Sequence, residues 1–164
     1  MLYNKLNMSE NGVIALTADE EYMTVCIELA KKAAQLGECP VGAIVVDGDG
    51  KIIGRGYNRR ETDNSPIAHA EIVAIEQAAK ALGSWRLNDC TLYVTLEPCP
   101  MCAGAVINSR LKRLVYGAFD EKGGACASLI NIFELPFNHK PMVRSRILID
   151  ECSSLMTDFF KSLR

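Results

Sequence analysis

Two short clusters in this sequence could do chemistry together: His69-Ala70-Glu71 and Pro98-Cys99-Pro100-Met101-Cys102. His69, Cys99 and Cys102 are nitrogen and sulfur donors of the kind zinc prefers. Three protein ligands leave a fourth tetrahedral position open for water. Glu71 has no ligand role in that set. Two residues from His69, it is placed to take a proton from such a water and hand it on. The expected reaction is hydrolytic: hydroxide attacks a carbon bearing an exocyclic amine, ammonia leaves, and a carbonyl takes its place. Adenine would become hypoxanthine, or cytosine uracil.

Other readings of the same residues compete. A Cys-x-x-Cys that follows a strand and opens a helix also suits a redox pair. A structural zinc site would need a fourth protein ligand, which Cys126 could supply. Glu71 could be a first-turn acid that favours a helix dipole, an effect worth little. His-x-Glu at one helix start and Pro-Cys-x-x-Cys at the next favour catalytic zinc. Two thiolates nearly cancel the charge of Zn²⁺, so a separate base such as Glu71 is useful.

The elements that must position these residues are legible in outline. Thr17-Ala18-Asp19-Glu20 reads as a capping box, followed by Met23, Cys26, Ile27, Ala30 and Ala34 at helical spacing and a stop at Gly37. Strands 41–46 and 52–57 flank the turn Asp47-Gly48-Asp49-Gly50 as a hairpin. A polar loop from Asn58 to Ser65 leads to a second helix, from Ala70 to about Gly83. Strand 91–96 precedes a third helix, with Pro100 in its first turn, ending near Asn108. Further expectations are a strand over 111–116, a short helix near 128–133, a strand over 144–149 and a terminal helix from Asp150 through Phe160. Strands alternating with helices imply an α/β sheet covered on both faces, and the opening hairpin makes that sheet mixed.

The chain has 164 residues, 49% of them apolar, enough for one domain with a real core. No apolar run is long enough to span a bilayer. The first residues, MLYNKLNMSENGVIALT, lack the pattern of a secretory signal and read as a flexible or loosely docked extension over 1–17, ahead of a single domain over 18–164. Seven cysteines, an odd count, together with the Cys-x-x-Cys spacing, indicate reduced thiols and a cytoplasmic protein. Cys26, Cys90, Cys126 and Cys152 read as small buried hydrophobes. Cys39, before a proline in a turn, carries no signal. Net charge is −2, acidic in residues 1–50 and mildly basic beyond. The basic part could meet phosphates, though its excess is small.

Beyond the zinc cluster, several stretches match one family. They are Gly56-Tyr57-Asn58, Ala68-His69-Ala70-Glu71, the block TLYVTLEPCPMCAGAVI over 91–107, Tyr116-Gly117-Ala118-Phe119-Asp120 with its following Gly-Gly, Asn138-His139 and Asp158-Phe159-Phe160. Over about residues 18–164 the chain resembles the bacterial tRNA-specific adenosine deaminases, within the cytidine deaminase-like superfamily. The resemblance implies a three-layer α/β/α cytidine deaminase-like fold around a mixed five-stranded sheet. It also implies one Zn²⁺ per subunit and a homodimer with the substrate near the subunit boundary. The implied reaction is adenosine to inosine at the first (wobble) anticodon position of a tRNA, most widely the arginine tRNA with anticodon ACG.

Residue by residue, the resemblance makes His69, Cys99 and Cys102 the metal ligands and Glu71 the proton shuttle. Asn58 would touch the flipped nucleoside, and the Ala70 backbone N–H would face it. Asp120 would meet the anticodon-loop backbone, Asn138 and His139 would lie near the RNA, and Phe160 or Phe159 would stack on a flanking base. Many members carry a Lys/Arg-rich tail, whereas this sequence ends Lys161-Ser162-Leu163-Arg164, so tail-mediated phosphate binding is not expected from these residues. Lys140 stands where members often have Arg, keeping the charge and losing the planar fork. Arg59, Arg60, Arg110, Lys112, Arg113, Lys122, Arg144 and Arg146 are other basic residues available to RNA.

Two other functions share part of this pattern. A free-base deaminase acting on guanine or cytosine would keep His-x-Glu and Pro-Cys-x-x-Cys but has no need of the Asn-His pair or the terminal Asp-Phe-Phe. A zinc-stabilised RNA-binding subunit without activity would have no need of Glu71.

Overall fold

The computed structural model describes residues 15–164, so most of the N-terminal extension expected over 1–17 lies outside the described residues. The chain runs α1 (Ala18–Gln35), β1 (Gly42–Val46), β2 (Ile52–Tyr57), α2 (Ala70–Leu82), β3 (Thr91–Leu96), α3 (Pro100–Asn108), β4 (Arg113–Ala118), β5 (Met142–Arg144) and α4 (Ile149–Ser162). The five strands form one sheet in the order β2-β1-β3-β4-β5. β1 is antiparallel to both β2 and β3, and β4 is parallel to β3 and β5. The sheet is therefore mixed, as the hairpin followed by crossovers requires. Helices α2 and α3 cover one face, and α1 and α4 the other. This is the expected three-layer α/β/α arrangement.

Local chemistry explains where the elements begin. Thr17 accepts from the Glu20 backbone N–H, and the Glu20 side chain accepts from the Thr17 N–H, completing the capping box of α1. Met23, Cys26, Ile27, Ala30 and Ala33 then turn inward, with Ala33 in place of the expected Ala34. Met23 is fully buried, which stabilises the fold by about 2 kcal/mol. On the other face, glycine lets α2 lie directly on β2: a Cβ at Gly56 would overlap the Ala70 carbonyl oxygen, and one at Gly54 the Ala74 carbonyl oxygen. That close approach fixes the height of the α2 N-terminus, and with it His69 and Glu71.

Three elements differ from their expected positions. The strand expected over 111–116 runs from Arg113 to Ala118. Arg110 adopts a left-handed φ of 61°, and Leu111 N–H still donates to Val106, so the turn after α3 uses two residues more. The helix near 128–133 is a single 3₁₀ turn over Ile132–Glu134, capped by the Asn131 side chain on Phe133 N–H. The last strand is Met142–Arg144 instead of 144–149. Arg146 and Leu148, at φ of 71° and 49°, end any extended run, and the apolar Ile147 and Leu148 pack into the α1–α4 layer instead.

The same α1–α4 face is anchored by a charge. Asp19 is 6% exposed, and its carboxylate accepts two hydrogen bonds from Arg113 at 2.7 and 2.8 Å, one from Arg144 at 2.6 Å and one from the Tyr93 hydroxyl at 2.8 Å. The Arg113 hydrogen bond and the other donors outweigh desolvation and hold the Asp19 pKa below its usual value. Stability from this group is complete above the ordinary carboxylate range and disappears as acid protonates it. Asp19→Ala should cost about 3 kcal/mol, the low end for a broken buried pair, because both arginines regain water. Thermal unfolding at pH 7 should show a midpoint lower by roughly 6–12 °C. That difference should shrink below about pH 4. An unchanged midpoint at pH 7 would remove the anchoring role.

Candidate active site

Strands β2, β3 and β4 end, and β1 begins, at one edge of the sheet. At that edge His69 is the N-cap residue of α2 and Cys99 the N-cap residue of α3, and neither uses its side chain to cap its helix. Both side chains are thus free for another partner. Cys102, in the first turn of α3, is fully buried. His69 Nδ1 lies 3.7 Å from Cys99 Sγ and 3.7 Å from Cys102 Sγ, and the three donor atoms all fall within 4.8 Å of one another. A tetrahedral zinc with Zn–N near 2.0 Å and Zn–S near 2.3 Å places nitrogen and sulfur about 3.6 Å apart. The three residues therefore fit zinc at the observed spacing. Cys126 is outside this cluster, and its thiol points at the Pro98 carbonyl oxygen instead, so the fourth-ligand reading has no support here.

The electrostatics suit a metal. Hydrogen bonding from the Cys102 thiol, and then His69, holds the Cys99 thiol down to about 4. Cys102 is pushed up by Cys99 and by burial. One sulfur is ready as thiolate, and a dication would displace the proton from the other. Glu71, 4% exposed, has its pKa raised to about 7, chiefly by burial. A carboxylate so placed can take and release a proton near neutrality.

All of these groups but the fully buried Cys102 border a cavity of about 300 Å³, at the lower end of small-molecule sites. His69, Glu71, Cys99, Asn58, Asp120 and Phe160 all line it. Asn58 is buried, and its Oδ1 accepts the Ala70 N–H at 3.0 Å. The Ala70 donor expected to face substrate is therefore engaged within the chain. The Asn58 amide nitrogen has no partner among the described residues, yet no buried side-chain polar atom is unpaired, so that nitrogen reaches the cavity. Asp120 borders the cavity while its Oδ1 accepts from Lys122 and Gly123 N–H, so it also shapes its own turn. Phe160 is half exposed at the rim, and Phe159 meets it edge-on at 5.5 Å.

Asn138 and His139 are not brought to this cavity. Asn138 is exposed, and a His139 ring nitrogen lies 2.7 Å from the Leu111 carbonyl oxygen, at the start of β4 and so at the opposite edge of the sheet. A larger apolar groove of about 970 Å³ between α1 and α4 holds neither the metal donors nor Glu71. Sequence reasoning missed Cys39 and Met156, whose sulfurs lie 3.9 Å apart in the cavity wall. It also assigned no role to Glu97, although an acid at the end of an apolar strand and next to Pro98-Cys99 was a readable signal.

Residues 17–164 match the family model described as MafB19-like deaminase. The chain is 53% identical over 150 residues to the tRNA-specific adenosine deaminase of Bacillus subtilis (strain 168), covering 91% of this chain and 92% of that one. It belongs to the tRNA-specific adenosine deaminase family. The Haemophilus influenzae relative of the same name is 49% identical over 89% of this chain and 85% of its own. A solved structure from studies of A-to-I editing by tRNA:A34 deaminases superposes with a TM-score of 0.80 at 43% identity, covering 82% of this chain and 98% of that one. A guanine deaminase from Nitrosomonas europaea superposes at 0.71 with 25% identity, covering 97% and 93%. Family membership makes the chain a deaminase, and the higher identities lie with the tRNA-acting relatives.

Metal analysis of the purified protein tests the cluster. About one zinc per chain is expected, and Cys102→Ala should lose most of it because a buried ligand cannot be replaced by water without loss of affinity. Full zinc in that variant would exclude this donor set.

Proposed function

We propose that this protein deaminates adenosine to inosine at the first anticodon position of a tRNA, with the ACG arginine tRNA as substrate and zinc as cofactor. The observation that carries the reading is the meeting of the His69-Cys99-Cys102 cluster and buried Glu71 in a cavity sized for one nucleoside. Held by His69, Cys99 and Cys102, zinc would supply an acidified water as nucleophile. Glu71 would take that water's two protons in turn, giving the first to the ring nitrogen and the second, as the carbonyl forms, to the departing amine. Water and adenosine thus give inosine and ammonia. The Asn58 amide nitrogen offers a donor to the base or ribose. Asp120 offers an acceptor to a 2′-hydroxyl, and the Phe160 ring a stacking face.

The rim favours a nucleic acid over a free base. Arg60 and Lys122 border the cavity, are exposed, and form no ion pair among the described residues. Neighbouring Arg59 is instead held by Asp63 and by the Tyr57 hydroxyl. Loose cations at a cavity mouth suit phosphates on either side of an extruded nucleotide. All seven cysteines are free thiols, in keeping with a cytoplasmic enzyme. Among the described residues no helix is long and apolar enough to cross a membrane. We further propose a homodimer, a reading supported by exposed Leu129, Ile130, Leu135 and Phe137 in the segment beyond the cavity. Any part that Asn138 and His139 play in RNA binding lies outside the cavity of their own chain.

The deciding assay is incubation with unmodified arginine tRNA bearing ACG, followed by reverse transcription and sequencing. Conversion of adenine to guanine reads at the first anticodon position alone is expected. Glu71→Ala should keep zinc and fold yet release no ammonia, and full activity in it would sink the mechanism. Failure of zinc-loaded wild type on tRNA, with ammonia released from guanine, would establish the free-base reading instead. Arg60→Ala should weaken RNA binding at every sequence and flatten the slope of log K against log salt by about 0.7, as expected for one lost single-strand phosphate contact. An unchanged slope would place Arg60 off the phosphate path.

A further inference from the structure

Glu97 is the most heavily hydrogen-bonded side chain at the site, and the reaction just described makes no use of it. Its carboxylate is 2% exposed. Oε1 accepts the backbone N–H groups of Cys126, Ala127 and Ser128 at 3.0, 2.7 and 2.8 Å. Oε2 accepts the Asp120 N–H at 3.0 Å and the Ser128 hydroxyl. Gly124 passes so close that a Cβ there would overlap the carboxyl group, which shows how tightly the segment wraps it. Residues 120–128 contain no helix and one isolated bridge, at Cys126, so no ladder of their own would hold them against the sheet.

From this geometry we propose that Glu97 is a positioning residue for substrate binding: it fastens segment 120–128 to the end of β3 and so sets the cavity wall that carries Asp120 and Lys122. The proposal rests on the functional reading above. Glu97 is itself held from behind, because its N–H donates to the Ala118 carbonyl oxygen at 2.8 Å, continuing the ladder between β3 and β4. Cys99, two residues on, opens α3 and keeps its own backbone bond to Ala103. The metal donors are thus anchored independently of the Glu97 carboxylate, while the wall is not. Among the described residues one backbone bond, from Ala125 N–H to the Pro98 carbonyl oxygen at 2.9 Å, and the Cys126 thiol at 3.8 Å from the same oxygen also tie the segment to the ligand loop. A carboxylate is suited to the task because it accepts several bonds at once without presenting a donor. A glutamine in its place would turn an N–H₂ group toward N–H donors.

Glu97→Gln in the full, zinc-loaded chain tests this, with the ACG arginine tRNA as substrate. Zinc content should stay at wild-type level and kcat within about threefold, whereas KM should rise at least about tenfold, the pattern of lost binding rather than lost transition-state contacts. Amide hydrogen exchange at Asp120 and at 126–128 should quicken at least about tenfold, with the α2 and α3 amides unchanged. Ser128→Ala removes one of the five donors without touching a backbone amide, and should raise KM in the same direction by about two- to threefold. It carries the kinetic test should the glutamine variant not fold. Unchanged KM and exchange would overturn the proposal, as would a fall in kcat with loss of zinc at constant KM. Wild-type enzyme inactive on tRNA would instead refute the functional reading, and the exchange measurement would still decide whether Glu97 holds the segment.

Discussion

Two helices must begin at the same point in space for this protein to have a site, and that constraint organises the rest. The α2 and α3 N-termini bring His69 to 3.7 Å from each sulfur of Cys99 and Cys102. Neither helix can be shifted by even one residue without losing the cluster. The α3 start is set by β3 and by Pro100, which fits a first turn where its missing N–H is not needed. The α2 start is set by Gly54 and Gly56, which let the helix backbone touch the sheet. Closeness of this kind comes from an absent side chain, so it is as much a part of the site as the ligands themselves.

Buried carboxylates surround that point, and their environments divide the labour. Burial raises Glu71 to about 7, because desolvation outweighs its backbone hydrogen bond and the nearby His69 and Cys102 that favour its charge. Glu97 and Glu38 are also closed to solvent, though packed less deeply than Glu71, and both are held below the usual value. Desolvation pushes Glu97 up, but the Ser128 hydroxyl and the surrounding amides outweigh it. For Glu38 the Thr62 amide and hydroxyl do the same. Depth of burial and the number of donors together separate a carboxylate that can exchange protons from two that stay ionised and hold loops. Glu38 fixes the loop that carries Arg60, and Glu97 the one that carries Lys122. Arg60 and Lys122, which form no ion pair among the described residues, therefore stand on segments pinned by buried acids.

Much of the plan was legible from one-dimensional pattern. Helix α1 followed from its capping box and its apolar spacing, and the hairpin from an Asp-Gly turn between β-rich runs. The candidate metal donors His69, Cys99 and Cys102, which the fold brings together, and the proposed proton carrier Glu71 were read from residue type and from spacing at helix starts. Elsewhere the pattern misled for identifiable reasons. Ile147 and Leu148 look like strand because they are apolar, but their burial is against α1 and α4, and left-handed backbone at Arg146 and Leu148 ends the extended run. The family resemblance implied that the Ala70 N–H faces substrate, and here that N–H donates within the chain. Its partner, Asn58, comes from the end of β2.

What the sequence determined by itself is the chemistry and the local order: which atoms can hold a metal, which can carry a proton, and where helices start. Those depend on residue type and short spacing, which local rules read directly. What the tertiary structure decided is which of the remaining polar groups face the cavity. Asn58, Asp120, Glu97 and Phe160 converge there because β2, β3 and β4 end at one edge and α4 folds back toward it. Asn138 and His139 are directed to the far edge, because the chain must return to the start of β4 before β5 can pair in parallel. Crossovers relate residues across long stretches of chain, and no short-range pattern encodes which edge a loop will reach.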